Sequence, residues 1–536
     1  MSGVAFGTEE RSSPHTGVRS LLAPRADTCV MASEPNKPTA SLKPIERSSF
    51  GLFEAQRLLW RAGFGGTPAQ VRVLAEWGPA RAVDSLLNSE GAMEYPRPEA
   101  DEFDGGVMRS PSEAERREAQ RARRLQDEDA LARIRLLRQE RERVDRRQIA
   151  AMQRWWLRRM IETSRPFEEK MALFWHGHFA TSYRTIENSY HMFLQNDLFR
   201  RHAVGSFAVL LGEMIRDPAM LAYLDNNDSR KEQPNENLAR ELMELFSLGE
   251  GAYSERDIKE AARALTGYTF EGNEFVFKAA NHDDGPKSML GRSGRLTGEG
   301  LVAAVLERPA CAEFIVSKVY RYFIGPLPSR DDPRRQSVFA YARSLAGTLR
   351  GAGYQMKPML RRMLLSEHFH DSEFAPARIK SPAELVVGAI RSLRTPTRDL
   401  GTLVSAMELM GQNLFFPPSV KGWEGGRSWI NTSTLFVRSN TMNYLLTGRS
   451  PRGFDPLATI ERYDPAPMIE GLDRIERGDP GVLADHLLRS ALCVGATSEK
   501  KDALAVFLGS RTKEGLSSAV GEALALVGAM PEYQLC

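Results

Sequence analysis

The run Phe174-Trp175-His176-Gly177-His178-Phe179 sets two imidazoles two residues apart among aromatic rings. Neutral imidazole between apolar walls suits metal ligation or proton transfer. Within a helix two such residues point about 200° apart and cannot share a ligand. If Gly177 ends the helix and the chain extends, both rings turn to one side. The other role open to either ring is that of a core histidine bonded to a backbone carbonyl.

Asn235 to Gly249 carries more. With Asn235 as N-cap, Leu238, Leu242 and Leu245 form an apolar stripe, with Phe246 at its side. At about 100° per residue, Asn237, Glu241 and Glu244 run along one shoulder of that face. Glu236 and Arg240, and Arg240 and Glu244, stand at i,i+4 and can pair. Carboxylates beside a buried stripe are costly unless ion-paired, metal-bound or solvated in a cleft. The Glu-x-x-His pattern of di-iron bundles is absent here. Asp225-Asn226-Asn227-Asp228 offers oxygen ligands in a loop. Asn281 to Lys287 adds a His282-Asp283 pair with Lys287. Asp, Asn and Gly also serve plain turns. Of nine histidines, five (His176, His178, His191, His202, His282) fall within about a fifth of the chain.

These residues predict two alternative functions. In the first, a metal-dependent hydrolase acts on a polymer or conjugate. His176, His178, Glu241, His282 and Asp283 would hold a divalent metal, with Glu236 or Glu244 as general base. Asn235, Asn237, Arg240, Asp225 and Lys287 would line the site. Trp423 and Trp429, in the Pro/Gly/Trp-rich loop Phe415 to Ile430, would offer an aromatic platform for a sugar or peptide, or merely anchor that loop. In the second, a non-catalytic binding or assembly protein uses the polar cluster as a hydrogen-bonded core that fixes helix register.

The elements that must position these residues are helical. The expected fold is mainly α: a large multi-helix, bundle-like body with one small β-hairpin and a disordered N-terminal leader. Helix starts are marked at Thr67-Pro68, Pro166, Asp217-Pro218, Ser254-x-x-Asp257 and Ser381-Pro382-x-Glu384. The glycines of Arg61 to Pro68 suggest a phosphate loop, but no strand precedes them and no Gly-Lys-Ser/Thr follows, so a helix–turn–helix connection is the reading. The hairpin is read at Tyr268-Thr269-Phe270 and Glu274 to Phe277, around Glu271-Gly272-Asn273. One long charged helix is expected over about 112–163. Pro111 to Met160 holds 15 Arg against 9 acidic residues. Acidic residues interleaved at helical spacing favour a solvated, salt-bridged face over a nucleic-acid surface.

Composition sets the outer bounds. The leader is expected over 1–48, the core over 49–446, and a C-terminal helical part over 447–536, packed on the core. A net charge of +3 and 42% apolar residues argue neither for a polyanion nor for a membrane. No run approaches the roughly 20 apolar residues of a membrane span. The four cysteines, Cys29, Cys311, Cys493 and Cys536, form no zinc or disulfide framework. Leu21-Leu22-Ala23 is too short for a signal core, which points to the cytoplasm, and Met31 is an alternative start.

Eight stretches, in order from about residue 50 to the C-terminus, carry a resemblance. They include Arg61-Ala62-Gly63-Phe64-Gly65, Glu169-Lys170-Met171-x-Leu173-Phe174-Trp175-His176-x-His178-Phe179 and Asn235-Glu236-Asn237-x-Ala239-Arg240-Glu241-Leu242-x-Glu244-Leu245. Later come His282-Asp283-x-Gly285-x-Lys287, Pro417-Pro418-x-Val420-x-Gly422-Trp423 and Pro531-Glu532-Tyr533-Gln534. On these the chain resembles the bacterial family catalogued as domain of unknown function 1800, which has no settled activity. The resemblance implies export to the envelope or beyond and a sulfatase-like partner protein, against the absence of a visible signal peptide.

Overall fold

The computed structural model describes residues 40–88, 93–96, 102–371, 378–449, 461–512 and 515–536. The first 39 residues of the expected leader, with Leu21-Leu22-Ala23, Cys29 and Met31, lie outside the described residues. Helices make the body: 24 α-helices stand among the described residues, with two small two-stranded sheets. No helix among them is long and apolar enough to cross a membrane.

Helix ends follow the local chemistry. Thr67 accepts from the Gln70 amide, and the Gln70 side chain returns to the Thr67 amide, starting the helix Pro68–Trp77. The same reciprocal pair forms at Ser254/Asp257 and Ser381/Glu384. The glycines of 63–66 thus connect the helices Leu52–Ala62 and Pro68–Trp77.

Two expectations change. The charged helix is two: Gln126 takes a left-handed conformation at φ 52°, and Asp127 caps the Ala130 amide. The helices Glu113–Leu125 and Glu128–Glu162 then pack on each other as a hairpin. The run Asp127-Glu128-Asp129 is itself a helix start, cap plus acidic first turn, which a proline-based boundary overlooks. There is also a second β-hairpin. Strands β1 (Tyr268–Glu271) and β2 (Glu274–Phe277) pair as expected, and β3 (Lys287–Met289) pairs with β4 (Arg292–Gly294). Its turn needs positive φ at Leu290 (50°) and Gly291 (89°). Leucine seldom adopts that conformation, so the turn left no recognisable signal.

The core runs through the long helix from Met152 and Trp156 to Met160, onto Phe167, Met171 and Trp175 of the helix Pro166–His178. Two ionic groups are sealed inside it. Glu169 accepts from Arg159, from Arg200 Nε at 2.6 Å and from Trp156 Nε1 at 2.9 Å. Glu384 accepts from Lys170 and, at 2.9 Å, from Arg378 Nη1. Both chain ends of the described body pack in. Ile45 donates to the Leu365 carbonyl at 2.8 Å, so residues 44–45 already lie on the body. Gln56 donates to the Ser490 and Leu492 carbonyls at 3.2 and 3.0 Å. Lys380 bonds the Tyr533 carbonyl at 2.7 Å with its ammonium 3.6 Å from the centre of the Trp60 ring.

Candidate functional site

The helix Pro166–His178 continues through Gly177 and ends after His178. The two imidazoles therefore point apart. His176 lies between Trp156, Phe415 and Trp423, with ring centroids at 5.4, 5.6 and 5.4 Å. Its Nε2 accepts from the Phe415 amide at 3.1 Å. His178 turns the other way, stacked on Phe174, and its Nε2 meets the Phe246 carbonyl at 3.0 Å. Both rings are sealed in, and burial drops each imidazole to about 3, with Lys318 adding to the effect at His178. They are neutral at any ordinary pH.

His282 stands in a third setting. Its Nδ1 bonds the Thr266 carbonyl at 2.8 Å and its ring meets Phe277 edge-on at 5.2 Å. Asp283 is taken by Arg263 at 2.7 Å, which lowers its carboxyl below the usual range. Buried Lys287 donates to the carbonyls of Asp283 and Gly285. Arg263 also binds Glu260 at 3.0 Å, so the Asn281–Lys287 turn is tied to the helix Glu255–Ala264. The expected metal set is thus not assembled: each of its three imidazoles serves a different backbone group. Among the described residues no group of three or more His, Cys, Asp or Glu is placed to hold a metal ion.

The shoulder helix begins at Asn237 with Glu236 at the cap position, one residue later than expected. Asn235 acts before it: its Oδ1 accepts from the Asn237 amide at 2.9 Å, and its Nδ2 donates to the Asp225 carbonyl at 3.0 Å. Asp225, at φ 54°, is exposed and contributes that carbonyl rather than a ligand oxygen. Buried Asn226 holds the carbonyls of Leu265 and Tyr268 at 3.2 and 3.1 Å. Arg240 pairs with Glu236 at 3.1 Å and, through both terminal nitrogens, with Glu255 at 2.9 Å; it does not take Glu244. Glu236 is thereby an ion-pair partner and not a free base. Asn237 is exposed.

Glu241 and Glu244 remain, half-buried on one ledge. Tyr253 donates its hydroxyl to Glu244 at 2.7 Å. Burial and the Glu244 charge push the Glu241 carboxyl up, against a smaller pull from Lys421. Lys421 comes from the Phe415–Ile430 loop, which docks on the end of the imidazole helix. A Cβ on Gly422 would stand 2.1 Å from the Gly177 oxygen, at φ +76°, so only glycine lets the loop approach so closely. That seat fixes Trp423 edge-on to His176. Trp429 is buried near Gly411 and anchors the loop instead of offering a platform. On the far side of His178, the helix Pro309–Phe323 brings Phe314 to 6.3 Å from the imidazole and Lys318 over the Phe314 ring at 5.2 Å. Burial lowers the Lys318 ammonium, and the charges of Arg321 and Lys421 lower it further.

The structure therefore joins His176, His178, Trp423, Glu241 and Glu244 around one helix end. Among the described residues no hydrogen bond, ion pair or ring contact joins His282 or Asp283 to them. Lys421, Tyr253 and Lys318 escaped sequence reasoning. Lys421 sits inside the Pro-Pro…Gly-Trp motif and was within reach of it; Lys318 is one lysine on an ordinary helix and left no signal.

A family model described as "Protein of unknown function (DUF1800)" matches residues 57–535. The chain belongs to the DUF1800 family. The match covers the imidazole helix, the ledge and the docking loop alike. No curated protein and no solved structure matches the chain.

Proposed function

We propose that this DUF1800 chain is a non-catalytic binding protein whose recognition surface is the ledge of Glu241, Glu244, Lys318, Lys421 and Trp423. One observation carries this reading. The imidazoles that would do chemistry are occupied in holding backbone groups together, whereas the ledge holds charge that is half-exposed and incompletely paired. Buried polar groups that satisfy one another fix a fold; half-exposed groups beside them meet ligands. Elemental analysis of the purified chain tests it. We expect no stoichiometric metal. Stoichiometric metal that disappears in His178→Ala, with the fold retained, would overturn the reading.

A second reading has its own observation. Glu241 and Glu244 are neighbouring carboxylates in different settings, one raised by burial and by its neighbour, the other bonded to a tyrosine hydroxyl. Such a pair suits metal-free acid–base hydrolysis. Turnover of a chromogenic ester or glycoside, abolished in both Glu241→Gln and Glu244→Gln without unfolding, would favour it over simple binding.

A further inference from the structure

A cleft of about 1020 Å³ opens at the start of the imidazole helix, the end opposite the ledge. That helix runs about 18 Å over its 13 residues, and no residue of the ledge lines the cleft. One wall is the outer face of the helix Pro68–Trp77. Ala69, Val73 and Trp77 follow one another at i,i+4 and all line the cleft, while Val71 and Leu74 of the same helix are buried. Val73 and Trp77 keep 39% and 37% of their surface exposed. Arg81 lies over the Trp77 ring at 4.4 Å and steadies the indole. The other wall is the strap 461–467. Tyr463 ties it to the helix Pro382–Leu393 by donating to the Leu393 carbonyl at 2.8 Å, and Arg398 bonds the Glu461 carbonyl at 2.6 Å. Two donors that line this cleft have no acceptor. Arg391 spends Nη1 on the carbonyls of Met160, Ile161 and Thr163 at 3.4, 2.8 and 3.0 Å, and its buried Nε has no partner among the described residues. Thr395, four residues on and 4% exposed, has a hydroxyl that is likewise without a partner.

We propose that this cleft binds a small molecule with an apolar, flat or branched body and one carboxylate. The body lies on Val73 and Trp77, and the carboxylate meets Arg391 and Thr395. This site goes beyond the ledge and does not rest on it. A buried donor without an acceptor is a standing cost to the fold, and carboxylate oxygens remove it at both groups. The bond to a guanidinium is charge-assisted, which favours a carboxylate over a neutral carbonyl. An apolar body covers side chains of the helix Pro68–Trp77 that otherwise face water. The volume lies at the upper end of small-molecule sites, ample for a two-ring acid. Exposed Glu162, Glu461 and Asp464 stand on the rim with exposed Arg394 and Arg462, so mixed charge there draws no polyanion. Pro166, Pro396 and Pro467 stiffen the lining, and little ordering is needed on binding.

The test titrates the full chain calorimetrically with 2-naphthoate, and with 2-naphthamide, which has the same rings and no charge. The acid is expected to bind one-to-one, and the amide about tenfold more weakly or worse. Thr395→Val keeps the shape of the side chain and removes the hydroxyl; Thr395→Ser keeps the hydroxyl. Trp77→Ala removes an exposed wall and spares the core. Affinity for the acid should fall about tenfold or more in Thr395→Val and in Trp77→Ala, and stay within about threefold in Thr395→Ser. Urea midpoints separate a lost site from a lost fold. Thr395→Val should be at least as stable as the wild type, because a methyl replaces a hydroxyl that has no partner. No binding of the acid to the wild type, or undiminished binding in Thr395→Val or Trp77→Ala, overturns the proposal. So does an amide held as tightly as the acid. The ledge shares no residue with the cleft, so the metal and hydrolysis assays judge it separately.

Discussion

Glu169 and Glu241 are both glutamates on helices at the centre of this protein, yet they live under opposite rules. Glu169 is fully buried, and although burial opposes its charge, Arg200 and Arg159 outweigh it and hold the carboxyl below the usual range. Glu241 is half-exposed with a second carboxylate beside it, and its carboxyl is pushed up. The first belongs to a closed account of donors and acceptors. The second has no such closure: its neighbour is another carboxylate and its pull from Lys421 is the smaller effect. Density of polar residues therefore does not separate these two regions; the completeness of their pairing does. The same contrast divides the histidines, sealed and neutral, from the lysines of the ledge.

The largest expected effect tests the sealed side with acid. Burial lowers His176, His178 and His370 to about 3 and His368 to about 4. Each folded pKa lies below the ordinary 6.5, so the folded chain binds fewer protons than the unfolded one. Their stabilisation is complete above about pH 6.5 and is lost as pH falls toward 3–4. Each imidazole adds a slope of about 1.4 kcal/mol per pH unit, and four acting together reach the scale of a whole domain's stability within about two units. Urea midpoints should fall steeply between pH 7 and 5. A flat profile would mean these rings are open to water, and the contrast with the ledge would collapse.

Glu384→Ala comes next. It strands Lys170 and Arg378 in the core and should cost about 3–5 kcal/mol. Chemical denaturation measures it; a loss under about 1 kcal/mol would show that the sealed pairs do not hold the fold. His178→Phe is expected to cost about 1–3 kcal/mol, because the Phe246 carbonyl loses its donor. Its metal content should match that of the wild type, and release of a bound ion would move His178 from the sealed region to the chemical one.

Much of the fold was legible because its signals are local. The helix starts at Thr67, Ser254 and Ser381 and the pairing of β1 with β2 follow from caps and turn residues a few positions apart, although Glu271, read into the turn, belongs to β1. The break at Gln126 had its own local signal in the cap Asp127 and the acidic first turn after it, which was passed over, whereas the turn at Leu290-Gly291 was not legible, since it uses positive φ at a leucine. The site was half legible. The His-x-His pair and the Glu241/Glu244 shoulder stood out, but whether Gly177 ended the helix decided where the rings point, and that depends on packing against Phe415 and Phe246. Lys318 comes beside His178 only through tertiary structure, where its ammonium lies over the Phe314 ring that faces the imidazole.

The smallest effect is the most discriminating. Glu241→Gln keeps the shape of the ledge and removes one of two neighbouring negative charges. The folded carboxyl is raised above its ordinary value, so its ionised form weakens the fold, and this penalty grows as pH rises through the folded pKa. Stability at pH 7 should be unchanged or slightly higher, within about 0.5 kcal/mol, as for a surface position with no structural duty. The same substitution at Glu169 should be severe, because Arg159 and Arg200 would lose their counter-charge inside the core. If Glu241→Gln proves as damaging as Glu169→Gln, the ledge is part of the scaffold and the recognition surface lies elsewhere. If it is silent in stability, the ledge carries no structural duty, as a recognition surface requires.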